Sequence, residues 1–212
     1  MPIGLRHGRA NTAPIASSFP PWSNVFMAVA EPPFTLEIRE DAFDVRRYPA
    51  RVVAETVVTG GSFEAAGNEG FRRLAGYIFG GNRIRQTIAM TAPVGERRDS
   101  RKLAMTAPVG ERSVDGAWVV TFTMPLGETL ESLPVPDDAR VTLHEAPAAR
   151  VAVHRFSGRW TDGKYAEKTA ALRAWIGARG LVAVGEPQVN RYDPPWTPWF
   201  LRRNEIWLGV GG

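Results

Sequence analysis

Chemistry in this chain must come from few residue types, because it contains no cysteine. Disulfides, thiolate metal sites and cysteine nucleophiles are thereby excluded. Three histidines remain: His7, His144 and His154. His144 follows Leu143 and His154 follows Val153, an alternation that puts both rings on the polar side of their strands, where surface imidazole is the ordinary outcome. Met90, Met105 and Met124 carry thioethers able to ligate an iron, although methionine at a strand position more often packs. Arg72, Arg73, Arg202 and Arg203 form two pairs suited to ligand carboxylates; singly, each reads as a solvated charge. Glu69 and Glu205 are isolated in sequence and make no acid/base pair. There is no P-loop, no G-x-S-x-G and no H-E-x-x-H, and the glycine pairs at 60–61 and 80–81 lack dinucleotide spacing.

The stretch best equipped to hold a ligand is a proline turn, Asn190-Arg191-Tyr192-Asp193-Pro194-Pro195-Trp196-Thr197-Pro198-Trp199-Phe200. Prolines hold the rings in place at little entropic cost, which suits a flat hydrophobic ligand. Aromatics interleaved with arginine also suit single-stranded nucleic acid. No nucleic-acid module surrounds them, so no nucleic-acid partner is expected.

The elements that position these residues follow from periodicity. At 212 residues the chain fits one domain or one domain plus a tail, and 44% hydrophobic content with seven tryptophans supports a core. The net charge of +4 comes from scattered arginines, a surface open to anionic ligands but equally an ordinary solvated face. No apolar run of membrane-spanning length exists. Residues 1–30 lack any period and read as a flexible tail; their apolar stretch is broken by Pro20, Pro21, Ser23 and Asn24, which argues against export. A start at Met27 would make an equally sensible protein. A cytoplasmic location is expected.

Residues 31–210 read as a single domain. Phe34, Leu36 and Ile38 alternate with polar residues as if one strand face were buried. Residues 43–47 and 51–59 are strand-like. Ser62 is placed to cap a helix over 63–79, whose stripe is Phe63, Ala66, Gly70, Phe71, Leu74, Tyr77 and Ile78. Gly80-Gly81-Asn82 ends it. Further strands are expected at 118–124, 141–145 and 150–156, then a helix from Thr161 and Asp162 to near Gly180, then a closing strand at 201–208. At a shift of 98, Leu74, Tyr77 and Ile78 become Leu172, Trp175 and Ile176, so two similar halves share one core. Between them Ile88-Ala89-Met90-Thr91-Ala92-Pro93-Val94-Gly95-Glu96-Arg97 returns, changed only at its first residue, as the phrase opening at Leu103 and ending at Arg112. Two strands of one hairpin are the expected arrangement.

Four motifs in this order resemble the SOUL haem-binding protein family: Phe43-Asp44-Val45-Arg46-Arg47-Tyr48-Pro49, Tyr77-Ile78-Phe79-Gly80-Gly81-Asn82, Ile88-Ala89-Met90-Thr91-Ala92-Pro93-Val94 and Arg203-Asn204-Glu205-Ile206-Trp207-Leu208. The resemblance covers about residues 31–210. It implies an α+β fold: a distorted antiparallel β-barrel of two pseudo-twofold-related halves with two flanking helices. It implies non-enzymatic binding of haem or another porphyrin, held non-covalently. The family is also similar to bacterial effector-binding domains, which gives an alternative: a small-molecule sensor or sequestering module acting through a protein partner.

Carried over residue by residue, the resemblance departs from the family at several points. Where some members have an axial histidine this chain has Arg47. Where others have long basic or methionine contacts it has Asn68, Ala75 and Gly76, and Thr197 replaces a lysine in the proline turn. The expected cofactor-binding set is therefore Asn68, Phe71, Arg72, Ala75 and Gly76 on one wall and Tyr192, Trp196 and Trp199 on the other, with no metal ligand and no catalytic residue.

Overall fold

The computed structural model describes residues 30–84, 100–159, 161–193 and 196–211. In chain order the elements are β1 (Thr35–Glu40), β2 (Phe43–Tyr48), β3 (Arg51–Thr59), α1 (Phe63–Ile78), β4 (Asn82–Arg83), β5 (Val109–Val114) and β6 (Ala117–Thr123). There follow β7 (Val135–Pro136), β8 (Val141–Ala146), β9 (Ala149–Ser157), α2 (Asp162–Ala178), β10 (Val182–Arg191), a 3-10 turn (Trp199–Leu201) and β11 (Arg203–Gly211). Nine strands form one sheet in the order β1-β2-β9-β11-β10-β5-β6-β3-β8, while β4 and β7 pair separately. Every ladder between strands is antiparallel.

Both helices begin as their sequences dictate. Ser62 Oγ accepts from the Ala65 amide at 3.3 Å, and Thr161 Oγ1 accepts from the Lys164 amide at 3.2 Å. Helix α1 buries Leu74, Tyr77 and Ile78 against Ala54, Val120 and Phe122; α2 buries Leu172 and Ile176 against Val45, Ile206 and Leu208. Full burial of each large apolar side chain contributes about 1.5–3 kcal/mol. The helices share one face of the sheet. A single row runs across the ladders from Val120 through Glu111, Val189 and Ile206 to His154, with α1 over its start and α2 over its end.

Two ladders share one register relation. Tyr48 lies opposite Ala149 in the β2–β9 ladder and Ala146 lies opposite Arg51 in the β8–β3 ladder, so a shift of 98 (48 to 146, 51 to 149) turns one ladder into the other. Each half thus pairs with a strand of its counterpart, and the halves meet along β5 and β10. The expected barrel closure is not seen: among the described residues no ladder joins the outer strands β1 and β8.

Strand β5, which contains the end of the second phrase copy, has β10 on one side and β6 on the other. The first copy, on which the expected hairpin depends, lies outside the described residues. One further expectation changes. Strand β1 does not bury one face. Its register slips between Leu36 and Ile38, and a one-residue bulge sends following side chains to the other face. Phe34 therefore packs with Tyr48 and Trp207, Ile38 packs under α2, and Leu36 stays exposed. No described helix is long and apolar enough to cross a membrane.

Candidate functional site

Helix α1 sits unusually close to the sheet. A Cβ on Gly70 would lie 2.6 Å from Val120 Cβ, so only glycine lets the helix settle there. The solvent side of α1 carries Asn68, Arg72, Ala75 and Gly76, with Phe71 on its flank, all exposed except half-buried Ala75. Their spacing makes one stripe. Phe71 meets Phe122 edge-on with ring centroids 5.5 Å apart, yet leaves 38% of its surface to solvent. Phe79, absent from the expected set, extends the stripe and is 58% exposed. Between the two rings Ala75 and Gly76 offer only small side chains, and the space over Gly76 is open. Arg72 pairs with Glu69 at 2.7 Å. That carboxylate also holds Arg73 at 2.7 Å and lies below the usual carboxylate range through its hydrogen bonds to Arg72 and Arg73.

The other expected wall is split. Trp196 and Trp199 are 83% and 48% exposed, and with Phe200 and Leu201 they make an apolar patch. The 3-10 turn contacts β9, whereas α1 contacts β3, β6 and β8. The two groups expected to face each other thus lie against different strands. Tyr192 turns inward instead. Its hydroxyl donates to Glu205 Oε2 at 2.6 Å, and the Arg203 guanidinium lies 3.9 Å from its ring centroid.

That hydrogen bond belongs to a buried polar cluster on the helix-free face, which the sequence reading missed. Arg46 donates to Glu205 at 3.0 Å and to Asp44 at 2.6 Å, while Trp207 Nε1 donates to Glu205 at 2.7 Å. Arg203 reaches the same carboxylate at 2.9 Å. Burial alone would raise the Glu205 carboxyl, but the hydrogen bonds and charge of Arg46, with Tyr192 and Trp207, hold it below its ordinary value. Burial pushes the Tyr48 phenol up to about 12. Every oxygen of Glu205 is engaged, so the cluster is built to hold strands together rather than to move a proton. In sequence the cluster leaves only polar residues of both charges at alternate positions in 43–48 and 203–208, a pattern that a solvated face shows equally.

His154 is a correction: it is buried and not on a polar face, because it continues the row beneath α2. Its ring lies 4.3 Å from Phe43, and Nδ1 is 3.1 Å from the Lys168 carbonyl. Burial lowers its pKa. His144 is exposed, with Nε2 4.0 Å from Glu55. Met124 is buried and Met105 packs against the core, whereas Met90 lies outside the described residues. Arg202 donates to the Thr197 carbonyl at 2.8 Å. Arg47 pairs with Glu37 at 2.6 Å on the rim of a hollow of about 420 Å³ lined by Phe34, Tyr48, Pro49 and Arg150. No group of three or more potential metal ligands occurs among the described residues.

A family model described as SOUL heme-binding protein matches residues 29–209. Heme-binding protein 1 of Xenopus laevis is 26% identical over 167 residues, 79% of this chain and 83% of that protein. Heme-binding protein 1 of Xenopus tropicalis matches with the same identity and coverage. Among solved structures, the EcmrR C-terminal domain superposes with a TM-score of 0.53 at 12% identity, covering 80% of this chain and 96% of that one. An uncharacterized conserved protein from Listeria innocua gives a TM-score of 0.53 at 13% identity over 79% of this chain and 92% of that one. At such identities the two structures speak for the fold alone.

Proposed function

The chain belongs to the SOUL heme-binding protein family, and from that premise we propose that it binds haem or a related tetrapyrrole non-covalently, as a carrier or buffer and not as an enzyme. The observation that carries this reading is the outer stripe of α1, where exposed Phe71 and Phe79 flank Ala75 and Gly76. A planar ring can lie on the small residues with an aromatic at either end, burying apolar surface on both sides of the contact. Arg72, exposed beyond its pair with Glu69, is placed to meet a carboxylate on the ring's edge. The exposed rings of Trp196 and Trp199 are the second contact surface in this reading.

These residues fit a porphyrin held by its faces and not one held through its metal. Arginine stays protonated and has no lone pair for iron, so Arg47 cannot act as the ligand. His154 is packed under α2 with Nδ1 at a backbone carbonyl. Haem would supply flat apolar faces, propionates and an iron; this chain supplies a hydrophobic seat and a counter-charge. A chain without cysteine cannot attach haem by thioethers and suits a reducing, cytoplasmic compartment.

Titrating haemin into the protein, followed by the Soret band and tryptophan quenching, tests the reading. Saturable binding at micromolar protein is expected, weakened at least tenfold by Phe71→Glu. The absence of saturable change would overturn it. Binding lost with Trp196→Ala but untouched by Phe71→Glu would move the seat to the proline turn.

A further inference from the structure

The helix-free face carries a second hollow, of about 200 Å³, whose lining includes Arg51, Glu55, Arg112, His144, Asn190 and Trp207. Its lining differs from that of the corresponding place in the other half. At the shift of 98 that relates the ladders, Tyr48 becomes Ala146 and Arg46 becomes His144. Tyr48 is stacked on Trp207 at 4.7 Å and covered by Phe34 at 5.4 Å. Ala146 has no ring to offer, and the space beside it is open.

What borders that space is incompletely satisfied. Nε and Nη1 of Arg51 are buried and have no hydrogen-bond partner among the described residues. Asn190 is fully buried, and its Nδ2 is likewise unpartnered while its Oδ1 accepts from Gln188 at 2.7 Å. Glu55, the acid of the hollow, is taken by Arg112 at 3.2 Å, with His144 at 4.0 Å. The Arg51 guanidinium lies 5.3 Å from the Tyr48 ring centroid, which leaves its Nε and Nη1 without an acceptor, and burial lowers its pKa. Buried donors without acceptors are unfavourable until something accepts from them. Trp207 adds an aromatic surface, and Thr121 and Thr123 add hydroxyls. The volume is smaller than a pocket for a drug-sized molecule.

We propose that this hollow binds a small aromatic monocarboxylate, its carboxylate accepting from Arg51, Asn190 serving as second donor, and its ring taking the place that Tyr48 fills in the other half. The site lies on the sheet face opposite α1 and does not rest on the haem reading.

Sodium benzoate is the probe, with benzamide as its neutral counterpart, titrated into the 15N-labelled full chain. Saturable shifts of the Arg51 Nε–H and Asn190 Nδ2–H resonances are expected with benzoate, and at least tenfold weaker binding with benzamide. Arg51→Gln should abolish the response while the rest of the spectrum is retained, and saturating haemin should leave it intact. Equal binding of acid and amide, no saturable shift, or a response surviving Arg51→Gln would each overturn the proposal. Should Arg51→Gln fail to fold, the acid–amide comparison in the native chain decides alone. Displacement of benzoate by haemin would show that no separate site exists.

Discussion

Arg46 donates through both terminal nitrogens to the two carboxylate oxygens of Glu205, at 3.0 Å each, across 159 positions of sequence. Both side chains are essentially without solvent contact. Strand β9 lies between their strands in the sheet, so the fork ties β2 of the first half to β11 of the second over a shared neighbour. Asp44, Tyr192 and Trp207 complete the hydrogen bonding.

Removing one partner strips the other buried charge of its bidentate pair and leaves Asp44 alone to balance Arg46, or Arg203 alone to balance Glu205. Arg46→Ala or Glu205→Ala is expected to cost about 3–5 kcal/mol, measured by urea unfolding. Because the folded Glu205 carboxyl lies below its ordinary value, its stabilisation is present above the unfolded pKa and is lost as pH falls through the lower folded one. Arg46→Ala should flatten that acid-side decline. A loss below about 1 kcal/mol would mean that the fork contributes no more than a surface pair.

Glu111 gives the opposite pH dependence. It is 2% exposed, and a Cβ on Gly67 would lie 2.5 Å from its Oε2. Burial raises its carboxyl to about 7, with Arg191 opposing from 3.3 Å. The folded state then holds a proton that the unfolded chain releases, so stability falls as pH rises from the ordinary carboxylate range through about 7. The fall is roughly 3 kcal/mol at ~1.4 kcal/mol per pH unit. Glu111→Gln should remove that slope in urea midpoints measured between acid and neutral pH. An unchanged slope would assign it to other groups.

Gly70→Ala tests how closely α1 sits. The added methyl would meet Val120, and overpacking of this kind costs about 1–3 kcal/mol. Val120→Ala in the same chain should recover part of the loss. Additive effects in thermal unfolding would contradict the contact.

Much of this architecture was legible as periodicity. The expected strand at 51–59 and helix at 63–79 appear as Arg51–Thr59 and Phe63–Ile78. Burial of polar side chains was not legible. Asp44 and Arg46 alternate with apolar residues as on a solvated face, yet they are 0% and 1% exposed. Alternation tells that two faces differ, not that one meets water. Here one face lies under helices and the other closes over a charged cluster, so His154 and Asp44 are both buried on opposite sides. Asn68, Ala75 and Gly76 on α1 were reached through the family resemblance, and spacing put Phe71 in the inward stripe although 38% of it is exposed; that α1 and the proline turn lie against different strands depends on tertiary packing. The Arg51 hollow depends on what Ala146 lacks, and no local pattern encodes that.

Comparing haemin with iron-free protoporphyrin, both titrated by tryptophan quenching, tests most directly the claim that the porphyrin is held by its faces. Without a protein ligand to the iron, the two should bind within about tenfold of one another, a difference below roughly 1.4 kcal/mol. The haemin spectrum should survive His144→Ala and His154→Gln, the second chosen because that ring is buried against Phe43. A six-coordinate low-spin spectrum that vanishes with either histidine, together with iron-free porphyrin binding weaker by orders of magnitude, would contradict the account.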